Sequence, residues 1–262
     1  MEARRVCWVT VNYLQEDFVA KWVDSIEAQN TNQSSDIFVV DNSSSIADFQ
    51  SREDFLCLRP GENLGYFRGF NHFLQCVDSS QYQWIVFSNP DVEFNRNFIT
   101  TLNSCSDVIG DVDVVAPRIT TEDGEEQNPS AERKRSRLKR AIFDFRYSNY
   151  LIFRASFLVA KWLRGPASRN PNLDQREIYL CHGSCFVTRP EFFTDAKSLD
   201  DRVFLWGEEP LLKEQCERQG GRIIFLPDCE VTHASHSVTG KIPSKDKFRI
   251  LRESYKVYRE HI

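Results

Sequence analysis

The 262-residue sequence has no apolar run long enough to cross a bilayer, which takes about 20 residues as a helix. Its start, Met1-Glu-Ala-Arg-Arg5, leads into six strand-like residues, Val6–Val11. That is too short for a signal peptide, so a cytosolic chain is expected. A Gly-Lys-Ser/Thr phosphate loop is absent, and Gly65 and Gly69 have the wrong spacing for a dinucleotide fingerprint. Of eight cysteines only Cys181 and Cys185 lie close together, and no second pair completes a zinc site, so reduced thiols are expected. There is no global basic excess: the net charge is -5, which speaks against a nucleic-acid partner. Internal repeats and low-complexity segments are missing too.

What is present is ample core material, 41% hydrophobic and 13% aromatic residues, enough for one large domain. Apolar runs at Val6–Val11, Ile37–Val40, Phe55–Leu58, Trp84–Phe87 and Val112–Ala116 read as strands. Between them, Phe18/Trp22/Ile26, Phe70/Phe73/Leu74/Val77 and residues 96–105 read as helices. That alternation predicts an α/β fold with a mostly parallel central sheet flanked by helices. After Pro171 the patterning predicts a strand at Cys181–Thr188, helices from Arg189 and from Trp206-Gly-Glu-Glu-Pro210, and two strands, Arg222–Pro227 and Glu230–His233.

Polar clusters follow the strands. Asn12-Tyr13, Asp41-Asn-Ser-Ser44 and Asn89-Pro-Asp-Val-Glu93 fall on one edge of a parallel sheet, where open α/β sheets bind ligands. Asp91 and Glu93 alternate, so in an extended segment both acids face one way. Such a pair suits a hard divalent cation holding a phosphate; a solvated turn would look the same. Asp41 is placed to accept from a nucleoside, although Asp-Asn-Ser is also ordinary turn chemistry. Gly65 and Gly69 let backbone approach a ligand or a neighbouring strand. Glu208 and Glu209 open a helix, where the dipole favours carboxylates, and one of them is a candidate general base. His233, at a strand end, is a third candidate metal ligand. Lys241 lies just beyond, within reach of phosphates.

Residues 131–169 hold eleven Lys or Arg and two acids, a local net +9 interleaved with aromatics. Such a segment fits the surface of an anionic membrane, on its inner face. For the aromatics taken singly, packing on the sheet is the expectation.

The ordered set Val9–Tyr13, Val39–Ser44, Glu62–Asn71, Asn89–Glu93, Ala116–Arg118, Gly183–Arg189, Phe204–Glu209, Leu226–Asp228 and Val231–His233 resembles family 2 inverting glycosyltransferases of the rhamnosyltransferase-like branch, over roughly residues 5 to 240. The resemblance implies a GT-A fold in one glycosyltransferase domain. Residues 1–118 would bind the nucleotide sugar, 119–172 would be the basic insert, and 173–262 would supply the acceptor site and the base. It implies a nucleoside-diphosphate sugar donor, a glycan or lipid-linked acceptor, and Mg²⁺ or Mn²⁺. Asn12, Asp41, Asn63, Gly65, Asn71, Asn89 and Lys241 would contact the donor. Asp91, Glu93 and His233 would serve the metal, and Glu208 or Glu209, Glu208 first, would be the base. Two rival readings are a nucleotidyltransferase that makes a nucleotide sugar, and a catalytically silent sugar- or membrane-binding module.

Overall fold

The computed structural model describes residues 5–43, 54–163, 172–234 and 244–262. In chain order the elements are β1 (Arg5–Asn12), α1 (Glu16–Glu27), β2 (Ser35–Asp41), β3 (Leu56–Leu58), α2 (Tyr66–Cys76), β4 (Tyr82–Ser88), β5 (Val92–Phe94), α3 (Phe98–Ser104) and β6 (Val114–Thr121). There follow α4 (Arg137–Ser148), α5 (Tyr150–Leu163), β7 (Arg176–Ile178), β8 (Cys185–Thr188), α6 (Phe193–Ala196), α7 (Glu208–Arg218), β9 (Ile223–His233) and α8 (Lys245–Tyr258).

All the strands join one sheet, in the order β3-β2-β1-β4-β8-β6-β9-β5, with β7 also on β9. The first four are parallel neighbours. Then β8 runs antiparallel to both β4 and β6, β6 and β9 are parallel, and β5 and β7 run antiparallel to β9. The parallel part reads as near-continuous apolar runs because helices cover both its faces. In β1, Val6 and Trp8 join one core layer with Val19, Trp22 and Leu102 of α1 and α3. Its alternate residues Cys7, Val9 and Val11 join the other layer, with Phe67, Phe70 and Phe73 of α2.

Three elements differ from the sequence pattern. The two strands expected at the C-terminal end are one strand, β9. Pro227 does not end it, because the pairing with β6 jumps from Pro117–Leu226 to Arg118–Glu230 and leaves Pro227–Cys229 in a bulge. The strand expected at Cys181–Thr188 begins only at Cys185. The helix α8 carried no motif, yet it anchors a third core cluster of Tyr147, Phe153, Val203, Leu211, Phe248, Tyr255 and Tyr258. The aromatics of the basic segment thus pack on α8 and α7, where packing on the sheet was expected, with Tyr147 stacked on Tyr255 at 4.6 Å. The eight cysteines, all among the described residues, form no disulfide.

Candidate active site

The parallel run β2-β1-β4 brings the ends carrying Asp41, Asn12 and Ser88-Asn89 side by side. Asn12 Nδ2 donates to Asp41 Oδ1 at 3.0 Å, and the backbone N of Ser43 donates to the same oxygen at 3.0 Å. Asp41 is 2% exposed, and its Oδ2 accepts no hydrogen bond; Arg59 Nε lies 4.0 Å from it. A buried carboxylate oxygen without a donor is costly, so this atom is ready to receive one. Next to it Asn42 Nδ2 donates to Gly65 O at 2.9 Å, and Asn63 Oδ1 accepts from Gly65 N at 3.0 Å. Gly65 has φ +85°, and a Cβ there would stand 2.3 Å from Phe204 O. Only glycine fits this crossing of two backbones.

Pro90 ends β4, and the turn after it is pinned at both ends. Asn89 N donates to Ser184 O at 2.8 Å, and Ala234 N donates to Asp91 O at 2.8 Å. The Asp91 side chain therefore meets the end of β9, with Oδ1 3.1 Å from His233 Nε2. On the far side of the imidazole, Nδ1 is 2.7 Å from Gln127 Oε1. The His182 ring stands edge-on to His233 at 5.8 Å. Burial, and then the neighbouring His233, push His182 down to about 4, so it is neutral at neutral pH.

The other acids come from the start of α7. Gly207 precedes them at φ +106°, where a Cβ would overlap the Tyr258 ring at 2.2 Å. Glu208 is 5% exposed, and burial, then the adjacent Glu209, raise it to about 8. Burial also raises Glu209, which is half-buried; its Oε1 accepts from Gly183 N at 3.3 Å. Gly183 O in turn accepts from the Tyr66 hydroxyl at 2.8 Å. Burial, followed by the charges of Cys185, Glu208, Asp91 and Glu209, holds the Tyr66 phenol well above its usual range. Glu209 and the Tyr66 phenol thus meet on the same residue, Gly183, and Gly65, the residue before Tyr66, belongs to the Asp41 network.

Glu93 does not converge with Asp91. Asp91 lies in the turn, so the alternation of an extended strand does not apply to the pair. In β5, Glu93 pairs with Thr232 and Val92 pairs with His233, which puts Glu93 and His233 on opposite faces of the sheet. Glu93 instead lines a cavity of about 340 Å³ with Arg118, Thr120, Glu230 and Thr232. Asn71 is also elsewhere. Its amide clasps the backbone of Leu199, accepting at 2.7 Å and donating at 2.9 Å, and reaches Asp201 Oδ2 at 3.1 Å. Lys241 lies outside the described residues.

The donors at Asp91 fit a divalent ion with few protein ligands. Among the described residues no three His, Cys, Asp or Glu stand together as a metal cage. A carboxylate and an imidazole 3.1 Å apart match two adjacent ligands of an octahedral ion, about 3 Å apart for bonds near 2.1 Å. Gln127 on the far side of the ring is the second partner that fixes the orientation of a metal-binding imidazole, with Nε2 facing Asp91 Oδ1.

Residues 7–195, well over half of the chain, match the model of glycosyl transferase family 2. The chain belongs to this family. The family 2 chain is 24% identical, over 200 residues, to the N-acetylglucosaminyl-diphospho-decaprenol L-rhamnosyltransferase of two Mycobacterium tuberculosis strains, CDC 1551 / Oshkosh and H37Rv. The match covers 71% of this chain and 61% of those proteins, so the chain spans about three-fifths of the relatives' length. Among solved structures it resembles GalNAc-T7 with UDP, GalNAc and Mn²⁺ (TM-score 0.61, 14% identity, 88% of this chain and 44% of that one). It also resembles the mannosyltransferase PcManGT from Pyrobaculum calidifontis in complex with GDP-Man and Mn²⁺ (TM-score 0.55, 14% identity, 97% and 69%). These likenesses show the fold, an α/β sheet of GT-A type.

Three residues of the candidate site carried no separate signal in the sequence. Tyr66 and His182 lay inside stretches read as a glycine loop and as a strand. Gln127 followed an acidic turn, and only the pairing of β6 with β9 brings it to His233.

Proposed function

We propose that the chain is a metal-dependent, inverting glycosyltransferase. It moves a sugar from a nucleoside diphosphate to a hydroxyl of an acceptor carried on a lipid diphosphate. The activity for which the mycobacterial relatives are named supports L-rhamnose as the sugar and a GlcNAc-terminated lipid as the acceptor. The observation that carries the reading is the meeting of three segments at the turn Gly183-Ser184, where Glu209 Oε1 accepts from Gly183 N, Gly183 O accepts from the Tyr66 hydroxyl, and Ser184 O accepts from Asn89 N, two residues before Asp91.

In this reading the 1–118 half holds the donor. Asp41 Oδ2 accepts from the nucleoside, and Asn12, Asn42 and Asn63 keep that carboxylate and its loop in place. Asp91 and His233 would hold a divalent ion, which would supply positive charge beside the departing nucleoside diphosphate. The 173–262 half supplies the base. The sequence favoured Glu208, but the geometry supports Glu209. It is half-buried and touches the turn that carries His182 and Ser184, whereas Glu208 is sealed in. Glu209 takes the proton of the acceptor hydroxyl as that oxygen bonds to the anomeric carbon. The bond from that carbon to the diphosphate breaks on the opposite face, and the configuration inverts in one displacement.

General-base catalysis is worth about 100- to 10,000-fold. Glu209→Gln should lose that much kcat and keep its calorimetric affinity for the nucleoside diphosphate. Near-normal turnover would reject the base. A screen of nucleotide sugars with and without Mn²⁺ should single out the donor as the one that raises Tm most. Pyrophosphate release from a nucleoside triphosphate would overturn the reading in favour of nucleotidyl transfer.

A further inference from the structure

The α4–α5 hairpin is apolar on two sides. One side, with Tyr147 and Phe153, is buried against α8. The other is open: Leu138, Ile142 and Phe145 on α4 are 72%, 57% and 65% exposed, and Leu151, Leu158 and Val159 on α5 are 69%, 45% and 53% exposed. At 100° per residue, 138, 142 and 145 fall within an arc of about 60°, and Tyr147 lies about 180° from Leu138. A helix in water presents one such stripe to its core, so the second needs a different partner. Around it Arg133, Lys134, Arg137, Lys139 and Arg154 are exposed. None of the five forms an ion pair among the described residues.

We propose that this face docks on an anionic lipid surface, lying in its plane. No helix among the described residues is long and apolar enough to cross a membrane. Two short amphipathic helices with bare cations beside an exposed apolar stripe are what an interfacial segment requires. The charges argue against a second copy of this face, since a two-fold contact would set the same cations against one another. They complement acidic headgroups directly.

The root of the hairpin reaches the candidate site. Tyr147 of α4 stacks on Tyr255 of α8, Tyr255 meets Tyr258 edge-on, and the Tyr258 ring lies against Gly207, directly before the two glutamates. Docking would therefore set the base end of the site at the lipid surface, where a lipid-linked acceptor waits. That last step rests on the glycosyltransferase reading; the docking does not.

The test is co-sedimentation of the full chain with vesicles of phosphatidylcholine, with and without phosphatidylglycerol. The wild type should bind the anionic vesicles and release as salt rises. Replacing Arg137, Lys139 and Arg154 by Ser should weaken binding about 100-fold, at roughly fivefold per cation. Replacing Leu138, Ile142 and Phe145 by Glu should abolish it, with Tm and nucleoside-diphosphate affinity held in both variants. Absence of binding at low salt, or equal binding by the variants, would overturn the proposal. So would a lipid-free dimer that dissolves in the Glu variant. Vesicle binding by a protein that transfers no sugar would count against the function reading alone.

Discussion

The burial of Glu208 makes stability depend on pH in a direction opposite to that of an ordinary carboxylate. A salt-bridged acid has a lowered folded pKa and stabilises above its unfolded value. Glu208 is raised from 4.5 to about 8, by burial first and Glu209 second. Between those values the unfolded chain releases a proton that the folded chain keeps. Stability from this group is therefore full below about pH 4.5 and is lost as pH rises toward 8, at about 1.4 kcal/mol per pH unit. Glu208→Gln keeps the shape of the protonated side chain and does not titrate. From pH 5.5 to 7.5 the variant should gain on the order of 2–3 kcal/mol on the wild type, or roughly 5 °C in Tm for a chain of this size. The assay is urea denaturation of both proteins across that range, read as the difference between them so that titrating groups other than the adjacent Glu209 cancel. Parallel curves would refute the reasoning, because they would mean that Glu208 is ionised in the folded protein.

Two further outcomes bear on the site. Gly65→Ala puts a side chain at φ +85° against Phe204 O; it should cost about 1–3 kcal/mol from the backbone alone and weaken nucleoside-diphosphate binding, and an unchanged urea midpoint would contradict this. Gln127→Leu removes the partner of His233 Nδ1, so a Mn²⁺ titration should show affinity down by about 10- to 100-fold, while an unaltered titration would leave Gln127 with no role there.

The parallel half of the sheet was legible because strands covered on both faces show themselves as unbroken apolar runs, and their polar ends as abrupt changes of character. Asp41, Asn12 and Asp91 were singled out that way. The site's remaining geometry depends on pairings between distant segments, which no local pattern encodes. Glu93 was assigned by strand alternation, but the turn at Pro90 resets the phase between it and Asp91. Pro227 read as a strand end because a proline cannot donate to a ladder; a bulge against β6 removes that requirement. The helix α8 was missed because Phe248, Tyr255 and Tyr258 bury against the hairpin, whose own apolar residues looked like material for the sheet. Tyr66 and Gln127 matter only through neighbours more than a hundred positions away, Gly183 and His233.

The hairpin and α8 pack on each other, and Tyr258 of α8 also sits over Gly207 beside the glutamates. Two segments far apart in sequence therefore form one exchangeable part. A chimera that imports only the 131–163 insert from a relative would strand Tyr255 and Tyr258 and loosen the turn that aims Glu208 and Glu209. One that imports the insert together with 245–262 would carry its own floor with it. Exchange of the hairpin within this architecture should succeed by that two-piece graft and fail by the one-piece version.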